Sequence, residues 1–135
     1  MATEATEVAG AGPAELTWDR TERFATLRFV RAGEGARDSA DELKSALLDW
    51  VGDPAEPYDF LVDCSEIVDV DASWRAIWGD HFRAHRDVAT VSWFNANPRI
   101  QLVVVLFVKG TGVNGKPFEH EAEARAWLAD QRRHR

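Results

Sequence analysis

Two largely apolar runs, Tyr58–Cys64 and Val88–Phe94, each lead into a stretch of helical period. This alternation constrains the chain more than any other feature, because buried strands separated by helices need a sheet whose faces those helices cover. The stretch after the first run carries Trp74, Ile77, Trp78, His81, Phe82 and His85 at 3.6-residue spacing, so one helix face is apolar and aromatic. Asp71 stands where its carboxylate can cap that helix, which is expected to run to about Arg86. Upstream, Glu15–Arg20 alternates polar and apolar residues. After a turn at Thr21-Glu22, Phe24–Val30 sets Phe24, Thr26 and Arg28 against Ala25, Leu27 and Phe29. The two segments read as an antiparallel hairpin. Gly33-Glu34-Gly35 interrupts the pattern. Ser39 and Glu42 have the spacing of a capping box. The stripe Leu43, Ala46, Leu47, Trp50 and Val51 follows and ends at Gly52-Asp53-Pro54.

Beyond the second apolar run, Asn97-Pro98 is a helix start, with Asn as cap and Pro where a missing N–H does no harm. Ile100–Val108 then balances between two states: its valine run favours a strand and its start signal a helix. Gly110-Thr111-Gly112 ends it, Asn114-Gly115 reads as a turn, Lys116-Pro117-Phe118 as a short edge segment, and Glu121–Arg133 as a helix with Ala124, Trp127 and Leu128 inward. The order β-β-α-β-α-β-α-β-α predicts an α/β fold, a mixed sheet of about five strands with about four helices packed on it. Residues 1–14 hold too little apolar area to offset ordering entropy and read as a flexible leader, with a single domain over 15–135.

Composition narrows the function classes. Cys64 is the only cysteine, which excludes a disulfide framework and a zinc site built on several thiolates. It follows a buried strand with no adjacent histidine and reads as a small hydrophobe. The net charge of −7 offers no basic patch for nucleic acid; the basic tail Gln131–Arg135 suits the C-terminal dipole of the last helix. No apolar run is long enough for a membrane span, and the acidic start MATEATEV lacks the features of a signal peptide, so a cytoplasmic location is expected. No oligomeric state follows from the chain.

Three strings in this order resemble the STAS domain, in its SpoIIAA-like (STAS/SEC14-like) branch of the anti-sigma-factor antagonist class. Phe60–Asp71 is similar to the family's strand and the loop that enters a helix at an acidic residue. Val91–Arg99 is similar to the next strand and helix start, and Phe118–Leu128 to the branch's ending of an aromatic, an acidic stretch and Ala-x-x-Trp-Leu. The resemblance covers most of residues 15–130 and assigns Ile100–Val108 to a helix. It implies a bacterial, non-enzymatic signalling or scaffold module that binds a protein partner, kinase-like or regulator-like. The family's switch string, Asp-Ser-Ser-Gly, matches Asp71-Ala72-Ser73-Trp74, with alanine in the first serine's place and tryptophan in the glycine's. Ser73 is therefore the candidate phosphorylation site, and Asp69, Asp71, Ser73, Trp74 and Trp78 form the candidate partner surface. A phosphate on Ser73 would meet a helix N-terminus and would add charge beside Asp69 and Asp71. The alternative is a module for a small apolar molecule or lipid, with Ile100–Val108 flanking a pocket. Exposure of Trp74 and Trp78 would favour the partner; burial around a cavity would favour the ligand.

Other constellations point to no chemistry of their own. His81 and His85 share a face at i, i+4, but they lie inside the aromatic stripe and read as packed histidines, with no metal expected. Asp63, Glu66, Asp69 and Asp71 make an acidic loop after a strand, where ligands of open sheets bind; a solvated loop with Asp71 as helix cap is the simpler reading. Gly110–Gly115 follows a helix where a phosphate cradle would open one. No nucleophile–base–orienter set is present, so no catalytic residue and no cofactor are expected.

Overall fold

The computed structural model describes residues 6–30, 33–52 and 56–134, with 33–35 described by backbone alone. The elements are β1 (Thr6–Ala11), β2 (Ala14–Asp19), β3 (Phe24–Phe29), β4 (Gly33–Gly35), α1 (Arg37–Val51), β5 (Tyr58–Asp63), β6 (Ile67–Val70), α2 (Ala72–Ala84), β7 (Ala89–Phe94), α3 (Pro98–Thr111), β8 (Asn114–Phe118) and α4 (Glu121–Arg133). Six strands form one sheet in the order β1-β2-β3-β5-β7-β8, and β4 and β6 form a second, two-stranded sheet. The meander β1-β2-β3 is antiparallel, and β5, β7 and β8 continue from β3 in parallel.

The period of two along the strands sorts side chains to two faces. Ala25, Leu27, Phe29, Tyr58, Phe60, Val62, Val91 and Trp93 join one core with the inner faces of α1, α2 and α3. Leu61 and Phe94 face the other way and pack with Ala124 and Leu128 of α4. One face is thus covered by three helices and part of the other by one. The expected four helices are all present, and the main sheet has one strand more than expected.

That extra strand corrects the reading of residues 1–14. Thr6–Ala11 is not a flexible leader but pairs with β2 from Thr6 opposite Asp19 to Ala11 opposite Ala14. Main-chain pairing needs no apolar side chains, which is why composition missed it. The turn into β2 needs Gly12, whose φ is +60°; a Cβ there would also lie 2.5 Å from the Ser39 hydroxyl oxygen. Residues 1–5 lie outside the described residues. Ser39 itself is no cap: α1 starts earlier, after Ala36, with no side-chain cap bond, and Ser39 is buried inside its first turn. Asn114-Gly115 begins β8 and is not a turn. The short strands β4 and β6 have no counterpart in the sequence reading.

Both helix starts around the second half of the sheet behave as expected. Asp71 Oδ1 accepts from the Trp74 N–H at 2.7 Å, and Asn97 Oδ1 from the Ile100 N–H at 2.9 Å. Ile100–Val108 is helical: Ile100 and Val104 are buried, while Leu102, Val105 and Leu106 stay exposed. Among the described residues no helix is long and apolar enough to cross a membrane.

α3 and β7 approach closely over β8. A Cβ on Gly115 would lie 2.9 Å from Trp93 Cζ3 and 3.2 Å from Val108 Cγ2. Gly115→Ala is therefore expected to destabilise the fold by about 1–3 kcal/mol, read from the shift of a urea unfolding curve at unchanged slope.

Candidate ligand cleft between α2 and α3

α2 and α3 both lie on the three-helix face of the sheet, and their side chains do not fill the space between them. A void of about 70 Å³ remains over β5 and β7, walled by Trp74, Trp78 and Phe82 from α2, by Val104 and Phe107 from α3, and by Trp93 from the sheet. Trp78 and Phe82 stack at 5.9 Å, but other rings here meet edge-on: Trp74 and Trp78 at 6.1 Å, Phe60 and Phe82 at 5.1 Å, Trp93 and Phe107 at 5.9 Å. Such arrangements suit ring quadrupoles but leave angular gaps. At roughly 10–15 Å³ per water-sized sphere, the void holds on the order of five such spheres, or one ring or short branched chain.

The candidate partner surface divides at this cleft. Trp74 is 7% exposed and Trp78 3%, so the structure places both inside the molecule and not on a contact surface. The physical reason is the helical stripe itself, since residues at i, i+4 on the core-facing side of α2 must pack on the sheet. Asp69, Asp71 and Ser73 stay nearer the surface. Ser73 is half-buried in the first turn of α2, where the cap bond is made by Asp71. Asp69 pairs with Arg99 at 2.8 Å; the Val70 N–H, and after it the Arg99 charge, holds its carboxyl below the usual range.

The rest of the acidic loop is spent on its own turn. Asp63 Oδ1 accepts from the Ser65 N–H at 2.9 Å and from the Ser65 hydroxyl, whose oxygen accepts from Asn95 Nδ2 at 3.0 Å. Among the described residues no three His, Cys, Asp or Glu side chains converge as a metal site. Cys64 is buried, and burial, reinforced by the Asp63 charge, pushes its thiol up to about 12, so it stays protonated.

His81 and His85 form the polar end of the α2 face. Tyr58, fully buried on β5, holds its hydroxyl 2.9 Å from His81 Nε2 and 2.8 Å from His85 Nδ1. One phenolic proton cannot serve both nitrogens. His81 Nδ1 is buried and has no hydrogen-bond partner, so a proton there would be stranded. The network therefore runs one way: His81 Nε2–H donates to the Tyr58 oxygen, and the Tyr58 O–H donates to His85 Nδ1. Burial, then the neighbouring His85 and Lys44, lowers His81 to about 3; burial and Lys44 also lower His85, and burial raises Tyr58.

Several lining residues were not legible in the sequence. Phe60 on β5 and Ile100, Val103, Val104 and Phe107 on α3 belong to two separate elements, and no motif links them. Arg75 also lines the cleft, although it lies beside the aromatic stripe and not in it.

Comparison with known proteins places the arrangement. The SpoIIAA-like family pattern matches residues 26–129. The chain belongs to the SpoIIAA-like family. An uncharacterised protein of the DUF3478 family from Shewanella loihica PV-4, with a SpoIIAA-like fold, superposes with a TM-score of 0.65 at 13% identity over 92% of each chain. The anti-sigma factor antagonist SpoIIAA in its unphosphorylated form superposes with a TM-score of 0.55 at 12% identity, over 93% of this chain and 98% of that one. At such identities these likenesses show the fold. No curated protein matches the chain.

The two imidazoles, that of His81 buried and that of His85 half-buried, set an acid limit. Both are neutral in the fold and free to protonate when unfolded, so unfolding takes up protons below the ordinary histidine value of 6.5. Stability should be level above pH 6.5. It should then fall as the pH drops towards 3, with His81 alone contributing about 1.4 kcal/mol per pH unit in the middle of that window. Urea unfolding across pH 4–8 measures the slope, and His81→Phe should flatten it.

Proposed function

We propose that this SpoIIAA-like protein is a non-enzymatic binding module whose occupant is a small, mainly apolar molecule held between α2 and α3. The observation that carries this reading is the burial of Trp74 and Trp78 around a void. Aromatic side chains that anchor a protein partner must be reachable from solvent, whereas walls of a small-molecule site are concave, apolar and largely formed in advance. The void is small, so an occupant much larger than one ring requires α3 to move away from α2.

One observation supports the protein-partner reading. Leu102, Val105 and Leu106 are 61%, 43% and 61% exposed and follow one another at i, i+3, i+4 along the outer side of α3. Asp71 and Ser73, at the start of α2, would then contribute a negative or phosphorylatable shoulder to a signalling or scaffold role, with a kinase or regulator as partner.

Native mass spectrometry of protein isolated from its own cells separates the two. The ligand reading expects a mass increment that disappears on denaturation and is absent from Val104→Phe, which fills the cleft. A bare chain carrying a phosphoryl group on Ser73 would instead favour the partner reading.

A further inference from the structure

The cleft is not uniformly apolar, and its one charged lining residue is a donor. Of the fourteen residues that line it, thirteen are hydrophobic and one, Arg75, is charged. Arg75 is exposed on α2, and among the described residues its guanidinium makes no ion pair or hydrogen bond. Its acidic neighbours have nearer partners: Asp69 pairs with Arg99 and feels the Arg75 charge as a lesser effect, and Asp71 caps the first turn of α2. Trp78 lines the same void with its ring, while its Nε1 is buried against protein and has no acceptor there. A buried indole N–H without a partner is uncommon, because losing its bond to water is costly.

Resting on the reading of the cleft as a ligand site, we propose that its ligand is a small monoanion of carboxylate type, with its apolar body between α2 and α3 and its carboxylate on Arg75. A planar guanidinium matches a carboxylate with two parallel N–H···O bonds. The apolar body meets Trp74, Trp78, Val104 and Phe107. The void limits it to a ring or chain of about six heavy atoms. A ligand of this class uses the cation and the aromatic walls together; a plain hydrocarbon would use the walls alone. A dianion is disfavoured, because Asp69 and Asp71 lie on the same shoulder and the whole chain carries −7.

Two matched pairs of probes test this by isothermal titration: phenylacetate against phenylacetamide, and hexanoate against hexanol. In each pair the body is constant and only the head changes. The wild-type protein should bind each carboxylate roughly tenfold more tightly than its neutral match, the size expected of a charge-assisted hydrogen bond. Arg75→Gln should abolish that preference and leave binding of the neutral probes. Arg83→Gln, on the same helix but paired with Asp80 and outside the cleft, should keep it. Equal binding of charged and neutral probes, or a preference that survives Arg75→Gln, would overturn the head-group assignment while leaving the cleft as a ligand site. If none of the four probes binds, the ligand reading falls, and the present inference falls with it.

Discussion

The Tyr58 hydroxyl meets two imidazoles, that of His81 buried and that of His85 half-buried, and the position of α2 follows from that meeting. Lifting the far end of α2 would strand a phenolic proton and a ring nitrogen, each costing on the order of 1–3 kcal/mol. α2 is held equally firmly at its start, where the Asp71 carboxylate takes up a main-chain N–H. Pinned at both ends, the helix presents Trp74, Trp78 and Phe82 to the sheet at a height set by polar bonds and not by how well the rings interdigitate. A helix free to settle would close its gaps; one fixed by hydrogen bonds keeps them. The void under α2 is the expected result of that arrangement.

Much of the fold was legible because it rests on local rules. The buried runs at Tyr58–Cys64 and Val88–Phe94, the caps Asp71 and Asn97, and the helix over Glu121–Arg133 are each specified within a few residues. The valine-rich segment of α3 was decided by resemblance, since β-branched residues inside a helix contradict their propensity and only the packing of Ile100 and Val104 shows why they are tolerated there. β1 was illegible for the opposite reason. Its stability comes from a ladder with β2, and although its residues alternate in exposure, Val8 lies on the outer side and Glu7 on the inner, so hydropathy does not betray the strand.

The site was less legible than the fold. Sequence reasoning found the two tryptophans and named what would separate a partner surface from a pocket, but it grouped them with Asp71 and Ser73 in the candidate partner surface. A helix turns by about 100° per residue, so residues one position apart can lie on opposite sides of the same surface. Arg75 shows this most clearly. It reads as an ordinary solvated arginine, and only the approach of α3 turns it into the one charge on an apolar wall. No string of residues within a single element carries that information.

Of the six tryptophans in the chain, Trp74, Trp78 and Trp93 surround the same small volume. Half of the indole rings therefore sense a single location. A molecule that enters, a water that leaves or a shift of α3 changes the polarity around all three together. The near-ultraviolet emission of this protein is in effect an instrument built into its own core, and it needs no dye or label to report on the state of the cleft.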